Sequence, residues 1–187
     1  MHRDIERVLI SQQQIARRVA ELAALITADH TPPKQEGPIE LTIVPVLTGA
    51  MIFCADLIRQ IPMAMQIGMM TVSSYPGRSV STQGAQVVAQ QLADLRGRHV
   101  LLLDDILDSG QTIRLVTSVL RERGAASVRT CVLLRKDRPA ARDVPVDYVG
   151  FDIPDVFVVG YGLDFDNYYR NLPDIVTLNG RVTEGRA

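Results

Sequence analysis

The chain has 187 residues, of which 47% are hydrophobic and 22% are charged. These values are typical of one globular domain with a sizeable core. The 20 basic and 21 acidic residues leave a net charge of −1, so no basic surface for nucleic acid is expected. The N-terminus carries early charges, and no apolar run approaches the roughly 18 residues of a membrane span. We therefore expect a cytoplasmic protein that binds no membrane.

The two cysteines, Cys54 and Cys131, lie far apart in apolar segments. Their number and spacing indicate neither a disulfide framework nor a zinc site. We expect both thiols to be reduced and buried.

The first predicted element is an amphipathic helix over residues 12–27. Ser11 and Gln14 have the spacing of a capping box at its start. Apolar residues then follow at helical spacing, namely Ile15, Val19, Leu22 and Ile26. The prolines at 32 and 33 open a polar loop that runs to Pro38.

Strands and helices alternate along the rest of the chain. Apolar runs predict strands over 41–47, 63–72, 100–103, 128–134, 148–151 and 157–161. Helices are predicted from about residue 50 to Arg59 and after Thr112. This alternation is typical of an α/β fold with a doubly wound, mostly parallel sheet and helices on both faces.

The most informative segment runs from Val100 to Thr112. Its four leading apolar residues predict a strand that is buried on both faces of a parallel sheet. Asp104, Asp105 and Asp108 follow, with no basic residue among them. Because crowded carboxylates repel one another, they indicate a site that meets hydroxyl groups or a metal ion.

A phosphate-binding turn is predicted directly after these acids. It consists of Ser109, Gly110, Gln111 and Thr112, which open an amphipathic helix. Backbone N–H groups at a helix start bind phosphate, and the chain has neither a Walker motif nor a dinucleotide glycine motif. Acids beside an anion site indicate a sugar phosphate as ligand. The alternative is that the acids are solvated or merely cap the helix.

This pattern of strand, acids and turn resembles the 5-phosphoribosyl-1-diphosphate (PRPP) signature of the type I phosphoribosyltransferases. The resemblance implies a single domain over 1–187, with a small hood built from the N-terminal and C-terminal segments. It implies that Asp104 and Asp105 hold the ribose hydroxyls, directly or through Mg²⁺, and that residues 109–112 bind the 5′-phosphate. Asp108 is then the catalytic base that accepts a proton from purine N7.

The likeness extends from about Leu41 to Leu172, and residues 147–164 resemble the hypoxanthine-guanine phosphoribosyltransferases in particular. In that family the aromatic residue matching Phe157 stacks on the purine, and we assign Val158 beside it and Asp164 to the same site. The lysine matching Lys136 donates to the 6-oxygen of the purine.

The diphosphate end of the expected site comes from three other segments. The family's aspartate matching Asp164 binds Mg²⁺ held by the diphosphate. The expected metal ligands are therefore Asp104, Asp105 and Asp164. The arginine matching Arg170 approaches the diphosphate. Thr48 and Gly49 match the family's short diphosphate loop, in which Thr48 replaces a residue that is often basic.

The polar segment 73–86 is predicted as a loop, and a loop of this length is functional or disordered. Ser74 and Tyr75 at its start match the mobile lid of the family. A lid has a chemical reason, because water would capture the oxocarbenium-like centre that forms at ribose C1.

Each purine-site assignment has a structural alternative. Residues 157–159 could be a core strand, Lys136 a solvated charge, and Asp164 an acid that faces water. A functional Lys136 has a physical rationale, because a cationic donor favours a carbonyl over an amino group and so selects 6-oxopurines over adenine.

The resemblance implies a Mg²⁺-dependent enzyme of purine salvage that converts PRPP and hypoxanthine or guanine to IMP or GMP and diphosphate. Homo-oligomers, dimers or tetramers, are common in the family. One alternative is an RNA-binding regulator of pyrimidine attenuation on the same fold, which the balanced charge disfavours. A phosphoacceptor signalling domain is weaker, since it leaves the phosphate turn and the polar loop without a role.

Overall fold

The computed structural model describes residues 2–31, 39–74 and 85–184. Its strands are β1 (Ile5–Ile10), β2 (Leu41–Leu47), β3 (Met65–Ile67), β4 (Met69–Ser74), β5 (Ala85–Gln91), β6 (His99–Leu107), β7 (Ser127–Lys136), β8 (Tyr148–Ile153) and β9 (Ile175–Leu178). Its α-helices are α1 (Gln12–Asp29), α2 (Met51–Ile58), α3 (Gln111–Glu122), α4 (Pro139–Arg142) and α5 (Gly180–Glu184). Within the described ranges, every helix is too short or too polar to cross a membrane.

Seven strands form the main sheet. Their order is β5-β4-β2-β6-β7-β8, and β3 pairs with β2 outside this path. Strand β5 is antiparallel to β4, whereas the other pairings of this sheet are parallel. Parallel strands place their carboxyl ends at one edge, which is where ligands bind in open α/β sheets.

Both faces of the central strand β6 are buried, as its apolar run predicts. Leu101 and Leu103 pack on the face that α1 and α2 cover, and Val100 and Leu102 pack on the face that α3 covers. The predicted mostly parallel sheet with helices on both faces is confirmed.

Helix α1 begins with the predicted capping box. Ser11 Oγ accepts a hydrogen bond from the backbone N–H of Gln14, and Gln14 Oε1 accepts one from the backbone N–H of Ser11. The cysteines are free and buried, and burial raises the pKa of the Cys54 thiol to about 11 and that of Cys131 further. Both thiols are therefore unreactive at neutral pH.

The two ends of the chain meet in a second, two-stranded sheet. Strand β1 pairs antiparallel with β9, and Val159 adds an isolated bridge to Val176. Val159, Leu172 and Val176 belong to a small apolar cluster under this sheet. The sequence pattern predicted neither β1, which exposes three of its six side chains, nor β9.

The predicted strand over 63–72 is two strands. Gly68 separates them and donates its N–H to the carbonyl of Ile43 at 2.9 Å. Strand β3 pairs with the start of β2 and β4 pairs with its end. The prediction also missed β5, because this edge strand exposes almost all of its side chains and has no apolar pattern.

The predicted strand over 157–161 is wrong. Only single bridges form here, and the backbone leaves the extended conformation at Gly160 and Tyr161, whose φ angles are 99° and 51°. Val158 and Val159 are nevertheless buried, in two different apolar clusters. The apolar run therefore reflects burial of an irregular segment rather than a strand.

Candidate active site

A polar cavity of about 530 Å³ lies at the carboxyl edge of the parallel strands. Its walls come from the ends of β2 and β6, the turn before α3, and the segment before β9. The predicted residues that line it are Thr48, Gly49, Asp104, Asp105, Asp108, Ser109, Gly110, Thr112, Asp164 and Arg170. Residues from four separate parts of the sequence thus meet in one cavity, as the resemblance implies.

Asp104 and Asp105 form the acidic floor of the cavity. Both belong to the last part of β6, which extends through Leu107 rather than ending before the acids. Burial, together with the neighbouring carboxylate of Asp105, raises the pKa of Asp104 well above its usual range. Burial also raises the pKa of Asp105, although Ile106 N–H donates to its Oδ1 at 2.8 Å and the Arg170 cation opposes the rise. Such a pair gains from a bound cation or from hydroxyl donors.

The loop after β2 touches this acidic floor. A Cβ atom on Gly49 would lie 1.8 Å from Oδ2 of Asp105, so any larger residue here would displace the Asp105 carboxylate. The peptide bond between Leu47 and Thr48 is cis. Thr48 itself is exposed at the cavity wall, so the position that is often basic in the family carries a neutral hydroxyl here.

The turn before α3 has the shape of an anion site. Gly110 occupies the cap position of α3 with φ of 75°, and a Cβ there would lie 2.2 Å from Val144. Ser109 is exposed, and the first N–H groups of an α-helix have no partner within the helix. Gln111 is exposed and lies outside the residues that line the cavity, and its backbone N–H, at the start of α3, donates to Ser109 Oγ at 3.4 Å.

A smaller pocket of about 180 Å³ adjoins the cavity. It contains the four predicted purine-site residues Lys136, Phe157, Val158 and Asp164, and shares Asp105, Asp108 and Asp164 with the cavity. The Phe157 ring is 50% exposed and meets Phe165 edge to face, with ring centroids 5.7 Å apart. Its exposed surface can therefore contact a flat ligand.

Lys136 at the end of β7 and Arg138 just beyond it neutralise Asp108. Lys136 Nζ lies 3.2 Å from Asp108 Oδ2, and Arg138 donates to Asp108 Oδ1. The expectation of three acids without nearby cations is therefore incomplete, because the partners come from the end of β7 and the residues just after it, far along the chain. Sequence reasoning missed Arg138, which also lines the cavity. The charged run from Arg135 to Arg138 was the available signal.

Asp164 and Arg170 form an ion pair at the cavity wall. Arg170 Nη2 lies 2.8 Å from Asp164 Oδ1, and Arg170 Nη1 donates to the carbonyl of Gly162 at 2.7 Å. Asn167 N–H donates to the other oxygen of Asp164 at 2.8 Å. These contacts fix the Asp164 carboxylate and the Arg170 guanidinium beside Asp105.

The carboxylates of the cavity suit Mg²⁺ as ligands. Mg²⁺ prefers oxygen and is usually held by one or two carboxylates together with substrate oxygens and water. Over 2–31, 39–74 and 85–184, no three acidic, histidine or cysteine residues are arranged to hold a metal ion alone. The acid pair Asp104 and Asp105 therefore fits a Mg²⁺ ion that a substrate helps to bind.

The lid residues lie at the limit of the described chain. Ser74 is the last residue of β4, and Tyr75 lies outside the described residues. Val72, from the same strand, lines the cavity. The segment predicted as a lid therefore begins beside the cavity.

The comparisons with known proteins agree with this geometry. The family model of the phosphoribosyl transferase domain matches residues 9–166. The hypoxanthine-guanine phosphoribosyltransferase of Mycobacterium tuberculosis is 43% identical over 180 residues, covering 96% of this chain and 89% of the relative. That of Bacillus subtilis is 39% identical over 184 residues, covering 98% and 99%.

Solved structures give the same family. A crystal structure of hypoxanthine phosphoribosyltransferase from Staphylococcus aureus has a TM-score of 0.87 at 37% identity and covers 97% of this chain and 96% of the other. These relatives favour the purine enzyme over the RNA-binding regulator. The chain therefore belongs to the phosphoribosyltransferase family, and within it to the hypoxanthine-guanine phosphoribosyltransferases, which are enzymes of purine salvage.

Proposed function

We propose that the protein transfers the 5-phosphoribosyl group from PRPP to hypoxanthine or guanine, forming IMP or GMP and diphosphate. One observation carries the proposal: a polar cavity and a smaller pocket with an exposed aromatic ring meet at Asp108. The cavity offers acids and a helix start, which suit a sugar phosphate. The pocket offers a ring surface and an ammonium group, which suit a 6-oxopurine.

The sugar phosphate binds across the cavity. Ser109, Gly110 and Thr112 hold the 5′-phosphate through backbone N–H and hydroxyl groups, with Gln111 shaping the start of α3. Asp104 and Asp105 hold the ribose hydroxyls. The phosphate acts as a remote handle that fixes ribose C1 opposite the base pocket. Thr48, Gly49 and Arg170 bind the diphosphate.

The base binds in the smaller pocket. Phe157 contacts the purine ring, and Val158 packs at the pocket wall. Lys136 donates to the 6-oxygen, since an ammonium group is a donor without an acceptor function. As the bond between C1 and the diphosphate oxygen breaks and the bond from C1 to N9 forms, the proton on N7 passes to Asp108.

Mg²⁺ is the proposed cofactor, with Asp104, Asp105 and Asp164 as its ligands. When bound, it neutralises the negative charge on the leaving diphosphate. Arg170 supports this end of the site by holding Asp164 in place.

Three further properties stay predictions. Ser74 and Tyr75 begin a lid that excludes water, the sheet of β1 and β9 forms the hood, and the protein assembles as a dimer or tetramer in the cytoplasm. Light scattering on a size-exclusion column measures the assembly directly.

The test is diphosphate release from PRPP with Mg²⁺, with hypoxanthine, guanine, xanthine, adenine and uracil offered separately. We expect turnover with hypoxanthine or guanine. The Asp108→Asn variant should lose about 10²- to 10⁴-fold in kcat, the usual contribution of a general base. Asp137→Asn is the matched control, because Asp137 is exposed, pairs with Arg142 and lines neither pocket. Turnover with uracil alone, or with none of the bases, would refute the proposal.

A further inference from the structure

Four charged side chains form a closed ring between the cavity and the base pocket. Lys136 Nζ lies 3.2 Å from both Asp108 Oδ2 and Asp155 Oδ1. Arg138 closes the ring through its contact with Asp108 Oδ1 and a 3.7 Å approach of its Nε to Asp155 Oδ2. Each cation thus contacts both acids. We call these four residues the ion-pair ring.

The ring follows from the register of three neighbouring strands. Leu107 of β6 pairs with Arg135 of β7, and Lys136 of β7 pairs with Ile153 of β8. Asp108 directly follows β6, and Asp155 lies two residues beyond the end of β8. Because the strands are parallel, their carboxyl ends bring these side chains together.

Lys136 is the least exposed member of the ring. Its side chain is 12% exposed, whereas those of Asp108, Asp155 and Arg138 are 40% to 46% exposed. A lysine this far from water needs carboxylate partners, since desolvation disfavours an unpaired charge. Asp108 and Asp155 are the two partners that the structure provides.

Asp108 and Asp155 differ in their roles in the proposed reaction, because only Asp108 contacts the base. A 6-oxopurine presents its 6-oxygen and its N7–H side by side on one edge. The 6-oxygen accepts a hydrogen bond from the Lys136 ammonium group, and N7–H donates one to a carboxylate oxygen of Asp108. The base therefore draws on the same ammonium and carboxylate groups that contact each other in the unliganded site. Asp155 lines neither pocket and does not contact the base, so its contact with Lys136 can persist while the base binds.

We propose that Asp155 is a positioning residue that holds the Lys136 ammonium group at the base pocket while Asp108 turns to the base. The proposal rests on the proposed function and deepens it, because it names the group behind the choice of base. Without Asp155, Lys136 has Asp108 as its sole carboxylate partner in the ring. The contact between Lys136 and Asp108 then competes with both hydrogen bonds of the base, the one from Lys136 and the one to Asp108.

The test compares Asp155→Asn, Asp155→Glu and the control Asp152→Asn. Asp152 lies on β8, three residues before Asp155, and is outside the ring. It also pairs with a basic residue of β7, since Arg135 Nε lies 2.6 Å from its Oδ1. We expect Asp155→Asn to raise KM for hypoxanthine about tenfold, the usual effect of losing one hydrogen bond to a charged group, with KM for PRPP unchanged. Asp155→Glu should restore most of the affinity, and Asp152→Asn should behave as the wild type.

Equal rises of both KM values, or no rise of either, would overturn the proposal. An inactive wild type would refute the proposed function, and a second measurement then tests the ring alone. Lys136→Met, Asp155→Asn and the double variant are unfolded in urea without substrates. The ring predicts that the two midpoint shifts are not additive in the double variant. Additive shifts would show that the two side chains do not interact.

Discussion

We propose that the choice of base depends on Lys136. Its ammonium group is nearly buried and faces the small pocket beside Phe157. A carbonyl oxygen at purine position 6 can accept a hydrogen bond from this ammonium group, whereas the amino group of adenine cannot. A Lys136 N–H that the base leaves without an acceptor costs about 1–3 kcal/mol, so we expect this one contact to discriminate between the bases.

Lys136→Met should therefore remove selectivity rather than all activity. We expect kcat/KM for hypoxanthine to fall about 10- to 100-fold, in proportion to a lost hydrogen bond to a charged group, while that for adenine does not fall. Steady-state kinetics with both bases measure the ratio. Arg135→Gln is the control, since Arg135 is the neighbouring cation and pairs with Asp152 outside the pocket. Equal losses for both bases would contradict this role of Lys136.

Asp104 is a residue at which function costs stability. Its carboxylate is 5% exposed, and burial raises its pKa. When the pKa of a group is higher in the folded chain than in the unfolded chain, its contribution to stability is fully present at a pH below the unfolded-state pKa, here near 3.8. That contribution is lost as the pH rises through the folded-state pKa. At neutral pH the buried charge therefore destabilises the unliganded fold.

Asp104→Asn should raise the Tm of the unliganded protein at pH 8 and abolish turnover. The gain should reach about 1–3 kcal/mol, because the amide replaces a buried carboxylate and can still accept the Asp105 N–H. That corresponds to roughly 2–4 °C for each kcal/mol in a chain of this size. Thermal unfolding at pH 8 and pH 4.5 measures the effect, and the gain should be smaller at pH 4.5. A variant with a lower Tm at pH 8 would refute this account.

At the level of elements, the apolar patterns predicted the buried strands and the amphipathic helices. Strand β2 matches its predicted range, and α1 extends the predicted helix by one half turn to Asp29. Strand β5 was missed because an exposed edge strand needs no apolar residues. The strand predicted at 157–161 was wrong because an irregular segment can bury apolar side chains as well as a strand does.

Helix α1 carries a pH-sensitive residue at its end. His30 is buried, its Nδ1 lies 2.8 Å from the carbonyl oxygen of Ile26, and burial lowers its pKa. The Arg129 cation lowers this pKa further and Asp29 opposes the fall. A lowered pKa favours the neutral ring in the folded state. The contribution of His30 to stability is thus present above the unfolded value of 6.5 and is lost as the pH falls below it.

We expect the difference in free energy of unfolding between the wild type and His30→Asn to shift in favour of the variant from pH 7.5 to pH 5. Asparagine keeps a donor for the Ile26 carbonyl but takes up no proton. Urea unfolding at several pH values measures the difference and cancels the groups that both proteins share. A difference that is independent of pH would contradict the assignment.

At the level of the whole molecule, the site joins segments that the sequence keeps far apart. The meeting of the signature acids with the turn before α3 at the cavity was predictable because these residues are contiguous in the sequence. The contacts of Asp108 with Lys136 and Arg138, and of Lys136 with Asp155, were not, since they depend on the pairing of β6, β7 and β8. The resemblance supplied the role of Lys136, but only the fold shows which acids hold it.

The central claim is that the base and the sugar phosphate bind in two pockets that meet at Asp108. A crystal structure of the protein with IMP and Mg²⁺ tests it most directly. We predict the 5′-phosphate at the turn 109–112, the ribose hydroxyls at Asp104 and Asp105, and the hypoxanthine ring against Phe157. The 6-oxygen should lie within hydrogen-bond distance of Lys136 Nζ. A base bound outside this pocket, or a phosphate away from the turn, would contradict the account.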